Sequence, residues 1–297
     1  LYFTNSTEGM RRFDGEFYCV GSVICGGTTL VRGRNTKFAT ALNNYAIRYG
    51  DTMFIADNVS GRSWPNTMHR VKQVLTQTHL ELIGNGPNLS TAMAYMIARV
   101  HTAGFATPPT PSSAQSATAG SVGAGNYLYV VALKNTRTGY QSNRSENSAN
   151  VAGVGGTTSL RVTVTDNDTQ ADQAVIYRDA VNAGEAPYYF ATAINRNADG
   201  TWPTYNDKVK NATIIAAAQV PADHDRAPKF AYLKEFNDSI YGYGTSDGKG
   251  QRSTVNSPEY WPAYVFGIDD PSGTDPTLGC QFQVGDYGDD ITAMEIE

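Results

Sequence analysis

Apolar and polar positions alternate in short runs along this chain, and Gly, Pro, Asn and Asp break the runs. A period of two sustained over roughly four to eight residues marks a half-buried strand. Phe17 to Val20 and Val23-Ile24 flank Gly21, and Gly26-Gly27 marks a hairpin before Thr28 to Val31 resumes the extended pattern. Thr36 to Thr40, Met53 to Ala56, His69 to Leu75 and Leu80 to Ile83 continue the series, punctuated by Gly50-Asp51 and Gly84-Asn85-Gly86-Pro87. Ala92 to Val100 fits a strand or a short helix by periodicity alone. Such closely spaced short strands predict a small β-barrel module over residues 1–105.

Residues 106–125 contain Thr, Pro, Ser, Ala and Gly with Val122 as the one sizeable apolar side chain, which predicts an extended linker. Over 126–220 the alternation returns. Tyr127 to Leu133 is apolar on both faces, as a central strand requires. Leu160, Val162 and Val164 alternate with Arg161 and Thr163, and Ala174 to Arg178 and Tyr188 to Ile194 complete the set. Asn135 to Gly139 is read as a hairpin turn and Ser142 to Ala149 as a polar edge or loop. A sandwich is expected here. Residues 221–297 hold two further strands, Lys229 to Leu233 and Ser239 to Gly244, then Asn256-Ser257-Pro258-Glu259-Tyr260-Trp261-Pro262 and a closing Gly288 to Met294.

Composition agrees with an all-β reading: Gly 29 and Tyr 18 favour strands joined by tight turns. At 297 residues, two or three domains of roughly 100 residues are expected. The formal charge of −5 argues against wrapping the outside of DNA, which needs clustered Lys and Arg, but leaves open an acidic channel through which DNA slides. No stretch reaches the roughly 18 apolar residues of a membrane span, and no signal peptide opens the chain, so a soluble protein without a membrane span is expected. The start at Leu1, without Met, is read as the interior of a longer chain.

Three sets of residues carry a resemblance to bacteriophage tail proteins. Gly33, Thr36, Phe38, Gly50, Asp51, Val71, Val74, Thr78, Leu80, Leu82 and Tyr95 resemble a small β module that recurs in tail proteins, although turn geometry and core packing account for each of them. Tyr127, Tyr129, Val131, Gly139, Ser142, Ser145, Leu160, Val162, Val164, Ile176, Tyr177, Arg178, Tyr188 and Phe190 resemble fibronectin type III repeats of phage virion proteins, without the early core Trp of eukaryotic repeats. Asn237, Ile240, Tyr241, Gly244, Ser257, Pro258, Glu259, Trp261, Pro262, Asp289, Ile291 and Thr292 follow the blade pattern of propeller-type tail hub or nozzle proteins. A closed propeller needs at least four blades of about 40 residues, so this propeller-like segment is incomplete unless the chain continues beyond Glu297 or neighbouring subunits complete it.

The resemblance implies a virion structural protein of the phage tail, a hub or nozzle ring subunit contributing to the tail tube and the DNA-ejection conduit. Its implied partners are further copies of itself, a hexamer favoured, together with neighbouring tail or head-tail connector proteins and DNA in transit through the lumen. The alternatives are a receptor-binding or fibre-anchoring tail protein and the accessory region of a secreted carbohydrate-active enzyme.

No enzyme is expected, and no catalytic, cofactor-binding or metal-ligating residue is assigned. His69, His79, His101 and His224 share no short spacing. Asp269-Asp270 and Asp289-Asp290 read as turn caps rather than a glycosidase pair. Asp166-Asn167-Asp168 and the 269–275 loop lack the spacing of a calcium loop. Cys19, Cys25 and Cys280 read as buried or partly buried free thiols, with a Cys19–Cys25 bridge as the alternative. Trp64, Trp202 and Trp261 are read as exposed loop aromatics available to stack on sugars or pack at subunit contacts.

Overall fold

A computed structural model describes residues 2–4, 9–42, 45–56, 68–153, 158–166, 168–184, 186–221, 224, 226–227, 229–236, 238–243, 249–254, 256–261 and 281–283. Trp64, Cys280, Asn237, Gly244, Pro262, Asn167 and the carboxylates of 269–275 and 289–290 lie outside them. The all-β class holds: the described residues form antiparallel sheets with one short helix. The chain divides into two compact units, one holding 11–101 with 1–2 and 197–201, the other 3–10, 102–196 and 202–297.

The first unit is built on β1 (Tyr2–Phe3), β2 (Arg11–Tyr18), β3 (Ser22–Cys25), β4 (Leu30–Arg34), β5 (Thr52–Ile55), β6 (His69–Thr76), β7 (His79–Ile83) and β8 (Tyr95–Thr102). They form one sheet in the order β1-β2-β8-β5-β6-β7-β4-β3. Alternation decides the inward face: Val23 and Cys25 of β3, Leu80 and Leu82 of β7, and Tyr95 and Ile97 of β8 share a core with Tyr18 and Phe38. The expected barrel is corrected to an open sheet. End strand β3 meets residues 88–93 through only two isolated bridges, Val23 with Met93 and Gly26 with Asn88. Pro87, which has no N–H to give, and the turn-forming Gly84-Asn85-Gly86 keep this stretch from making a ladder. Thr36 to Thr40, expected as a strand, is a turn: the Thr40 N–H donates to Lys37 O (2.9 Å), and Phe38 drops into the core.

Gly50 adopts φ 83°, which a side chain would oppose, and turns the chain into β5. The neighbouring Asp51 is buried and accepts hydrogen bonds from the Tyr45 hydroxyl and the Arg48 N–H, both at 2.9 Å. Arg99 closes the cluster, 3.4 Å from Asp51, 2.8 Å from Glu16 and 4.4 Å over the Tyr45 ring.

In the second unit, β9 (Ser112–Val122), β10 (Gly125–Tyr127), β11 (Tyr129–Lys134), β12 (Val151–Gly153), β13 (Thr158–Thr163), β14 (Gln173–Asp179), β15 (Tyr188–Asn195) and β16 (Tyr205–Asp207) precede the helix α1 (Asn211–Ile214). One sheet runs β11-β14-β15 and the other β16-β13-β9, with β10 and β12 paired beside them. Tyr129, Val131, Leu133, Ala174 and Ile176 from the first sheet and Leu160 and Val162 from the second bury one another, which makes a sandwich. The other face of β11 and β14 is also apolar, and Leu128, Val130, Val175 and Tyr177 pack there with Tyr188.

The 106–125 segment is not linker throughout. Its residues 112–122 are β9, paired with β13 from Thr163↔Ser112 to Thr158↔Ala119. This exposed strand of Ser, Thr, Ala and Gly sends Val122 alone into the core, so it lacks the branched and aromatic residues by which strands are recognised.

The last described elements are β17 (Tyr232–Phe236), β18 (Ser239–Tyr243), β19 (Lys249–Arg252) and β20 (Gln281–Gln283), a four-stranded antiparallel sheet in that order. No helix among the described residues is long and apolar enough to cross a membrane.

Candidate functional site

The residues weighed for chemistry are dispersed. His69 and His79 stand at opposite ends of the β6–β7 pair, where His79 packs beside Thr76 and Thr78, and His101 is buried on β8. His224 stacks on Tyr260 with ring centroids 3.6 Å apart. Among the described residues no group of three His, Cys, Asp or Glu side chains is placed to hold a metal ion. Asp166 faces Arg196 at 3.5 Å and accepts the N–H of Asp168, so its carboxylate is already engaged. Cys19 and Cys25 are free thiols. Cys25 is buried as expected, whereas Cys19 is exposed.

The tryptophan expectation is corrected for the two that are described. Trp261 is fully buried, 5.1 Å from the Phe230 ring, and its indole N–H donates to Pro258 O. Trp202 is half-buried under Arg196, and its indole donates to Asp166 O. Both rings are consumed internally.

The string Ser257 to Trp261 is likewise a structural joint. Buried Glu259 accepts the Gly104 N–H at 3.0 Å, and Gln170 donates to Gly104 O from the other side. The Tyr260 hydroxyl accepts the Gln141 N–H, and its ring meets Tyr140 edge-on at 5.1 Å. These contacts fasten the C-terminal sheet to the sandwich.

Two arrangements inside the sandwich were not legible beforehand. Arg178 of β14 and Asp207 of β16 pair in full burial, and Tyr129 of β11 donates its hydroxyl to the same carboxylate at 2.8 Å. Burial works against the guanidinium charge, but Asp207 and Tyr129 outweigh it and hold the Arg178 pKa above its ordinary value. Burial pushes the Asp179 carboxyl up, although the N–H groups of Leu128 and Gly184 donate to it. Such a group suits acid catalysis only where substrate reaches it, and Asp179 is fully buried. No protein-family model matches the chain, and no curated protein matches it.

The second arrangement is a seam of serines. Ser142, Ser145 and Ser148 each donate their N–H to a carbonyl of β11, those of Leu133, Val131 and Tyr129, and each hydroxyl accepts the N–H of the same residue at 2.8–3.0 Å. Every hydroxyl also donates to the carbonyl of the next residue in its own segment. Three residues of the segment thus match two of β11, so no period-two signal exists for sequence reading to find. Ser253 repeats the device on Ile240 of β18.

The residues between the serines border a groove of about 630 Å³. Asn143, Arg144, Ser145 and Glu146 line it together with Ala186, Pro187, Tyr188, Thr107 and Gln219 to Pro221. An open groove lined by such polar groups can hold a hydrophilic ligand but places no nucleophile beside a base.

Proposed function

We propose that this chain is a structural protein of a bacteriophage tail, a hub or nozzle subunit that assembles with further copies of itself around the tail axis and lines the route of DNA. The observation that supports this reading is the Ser257-Pro258-Glu259-Tyr260-Trp261 string: it resembles the blade pattern of tail hubs, and here it fastens a four-stranded antiparallel sheet to a fibronectin-like sandwich. Rigid all-β modules joined by buried contacts suit a load-bearing conduit, and closed rings of identical subunits are the usual way to build one. The pairs Arg99 with Asp51, Arg178 with Asp207 and Arg196 with Asp166 hold elements of the fold together, in keeping with a non-enzymatic role.

Mass photometry and negative-stain microscopy of the purified chain test this. A closed ring, hexameric on the strength of the resemblance, is expected. A strict monomer at the highest attainable concentration, with no labelling of tails by antibody, argues against it. The groove beside Arg144 favours a second reading, a receptor-binding tail protein, for which saturable glycan binding is the readout.

A further inference from the structure

Four arginines among the described residues lie over aromatic rings: Arg99 on Tyr45, Arg178 on Tyr127, Arg196 on Trp202 and Arg144 on Tyr188. Three also face carboxylates: Arg99 faces Asp51 and Glu16, Arg178 faces Asp207, and Arg196 faces Asp166. Arg144 differs. Its Nη1 donates to Asn147 Oδ1 (3.0 Å) and Ser145 O (3.3 Å), both neutral acceptors, and the Tyr188 hydroxyl donates to the same Asn147 oxygen at 2.7 Å. The guanidinium is therefore oriented by a stack and two hydrogen bonds, and among the described residues it faces no carboxylate and neither Nε nor Nη2 has a protein acceptor. A fixed guanidinium edge of this kind suits a carboxylate or phosphate. Arg144 lines the groove, as does exposed Glu146, which makes no described ion pair with it.

We propose that this groove binds an acidic saccharide unit, its anionic group on the free edge of Arg144 and its hydroxyls on the polar lining, with Glu146 opposing densely anionic ligands. Exposed Pro187 offers an apolar surface that a sugar ring covers. This inference does not depend on ring assembly, which is read separately by mass photometry.

Calorimetric titration of the full chain with a hexuronic acid oligosaccharide, a phosphorylated oligosaccharide and a neutral oligosaccharide of equal length tests the proposal. Binding of at least one acidic oligomer, and weaker or no binding of the neutral one, is expected. Arg144→Gln lowers that affinity about tenfold or more, and Arg144→Lys lowers it too, because one ammonium does not reproduce the two-N–H edge. Glu146→Gln on the exposed wall raises it a few-fold by removing a like charge. Should Arg144→Gln shift the thermal midpoint, Glu146→Gln decides in its place: a gain supports the site and an unchanged affinity overturns it. Equal binding of the neutral oligomer, no binding of either acid, or full affinity in a normally folded Arg144→Gln protein also overturns it.

Discussion

The guanidinium of Arg178 and the carboxylate of Asp207 meet in full burial between the two sheets of the sandwich, Arg178 projecting from β14 and Asp207 from β16. With the Tyr129 hydroxyl on the same carboxylate, a polar bolt crosses what is otherwise an apolar core. Removing one partner strands the other in a low-dielectric interior, which costs more than the intact pair contributes.

Asp207→Asn is therefore expected to destabilise the sandwich by about 3–5 kcal/mol. Replacing both residues, Arg178→Met with Asp207→Leu, is expected to cost less than the two single changes summed. Urea unfolding of the parent, Arg178→Met, Asp207→Leu and the double variant gives the coupling energy, and a sum that is simply additive refutes the bracing role.

Ser145→Ala removes the acceptor of the buried Val131 N–H, and a cost of about 1–3 kcal/mol is expected. Ser112→Ala on the exposed start of β9 serves as control, within about 0.5 kcal/mol of the parent. Hydrogen exchange locates the effect: the amides of Val131 and its β11 neighbours lose protection in the first variant and keep it in the second.

Glu259→Ala leaves the Gly104 N–H without its acceptor inside the joint between the C-terminal sheet and the sandwich. Exchange protection at Gly104 is expected to fall by a factor corresponding to about 1–3 kcal/mol, and β17 to β19 to become more open to protease, while the first unit is unaffected. Unchanged proteolysis would mean that the Tyr260 contacts to Gln141 and Tyr140 hold the joint without Glu259.

Alkali supplies a further test. Burial raises the phenol pKa of Tyr95, of Tyr129 and of Tyr205, the last two further raised by Asp207. Unfolded phenols ionise near pH 10. The folded state thus keeps protons that the unfolded state loses, and the stability present below about pH 10 declines as pH rises beyond it. Tyrosinate absorbance is expected to rise in two stages, the second coinciding with loss of the β-sheet circular dichroism signal. A single early stage with the fold intact counts against this.

Strands carried by large side chains were readable from the sequence because their alternation reports which face is buried: Val23 with Cys25, Leu80 with Leu82, and Leu160 with Val162. β9 was not, since Ser, Ala and Gly carry no such signal and its pairing depends on β13. Openness of the first sheet rests on how β3 meets 88–93, a long-range matter beyond local pattern. In the candidate site, Ser142 and Ser145 stood out as a motif, yet their bonding to β11 required the fold. Arg144 looked like any loop arginine until its stack on Tyr188, with no carboxylate facing it among the described residues, was visible.

The seam grips the backbone of β11 through Ser142, Ser145 and Ser148, and Arg144 and Asn147 reach Tyr188 of β15, whereas the exposed Glu146 side chain makes no described bond to the sheet. The backbone attachment and the chemistry displayed beside it are thus separable properties. A groove wall mounted this way can exchange the side chain at 146, and with it the charge shown to a ligand, while the sandwich beneath keeps the same edge.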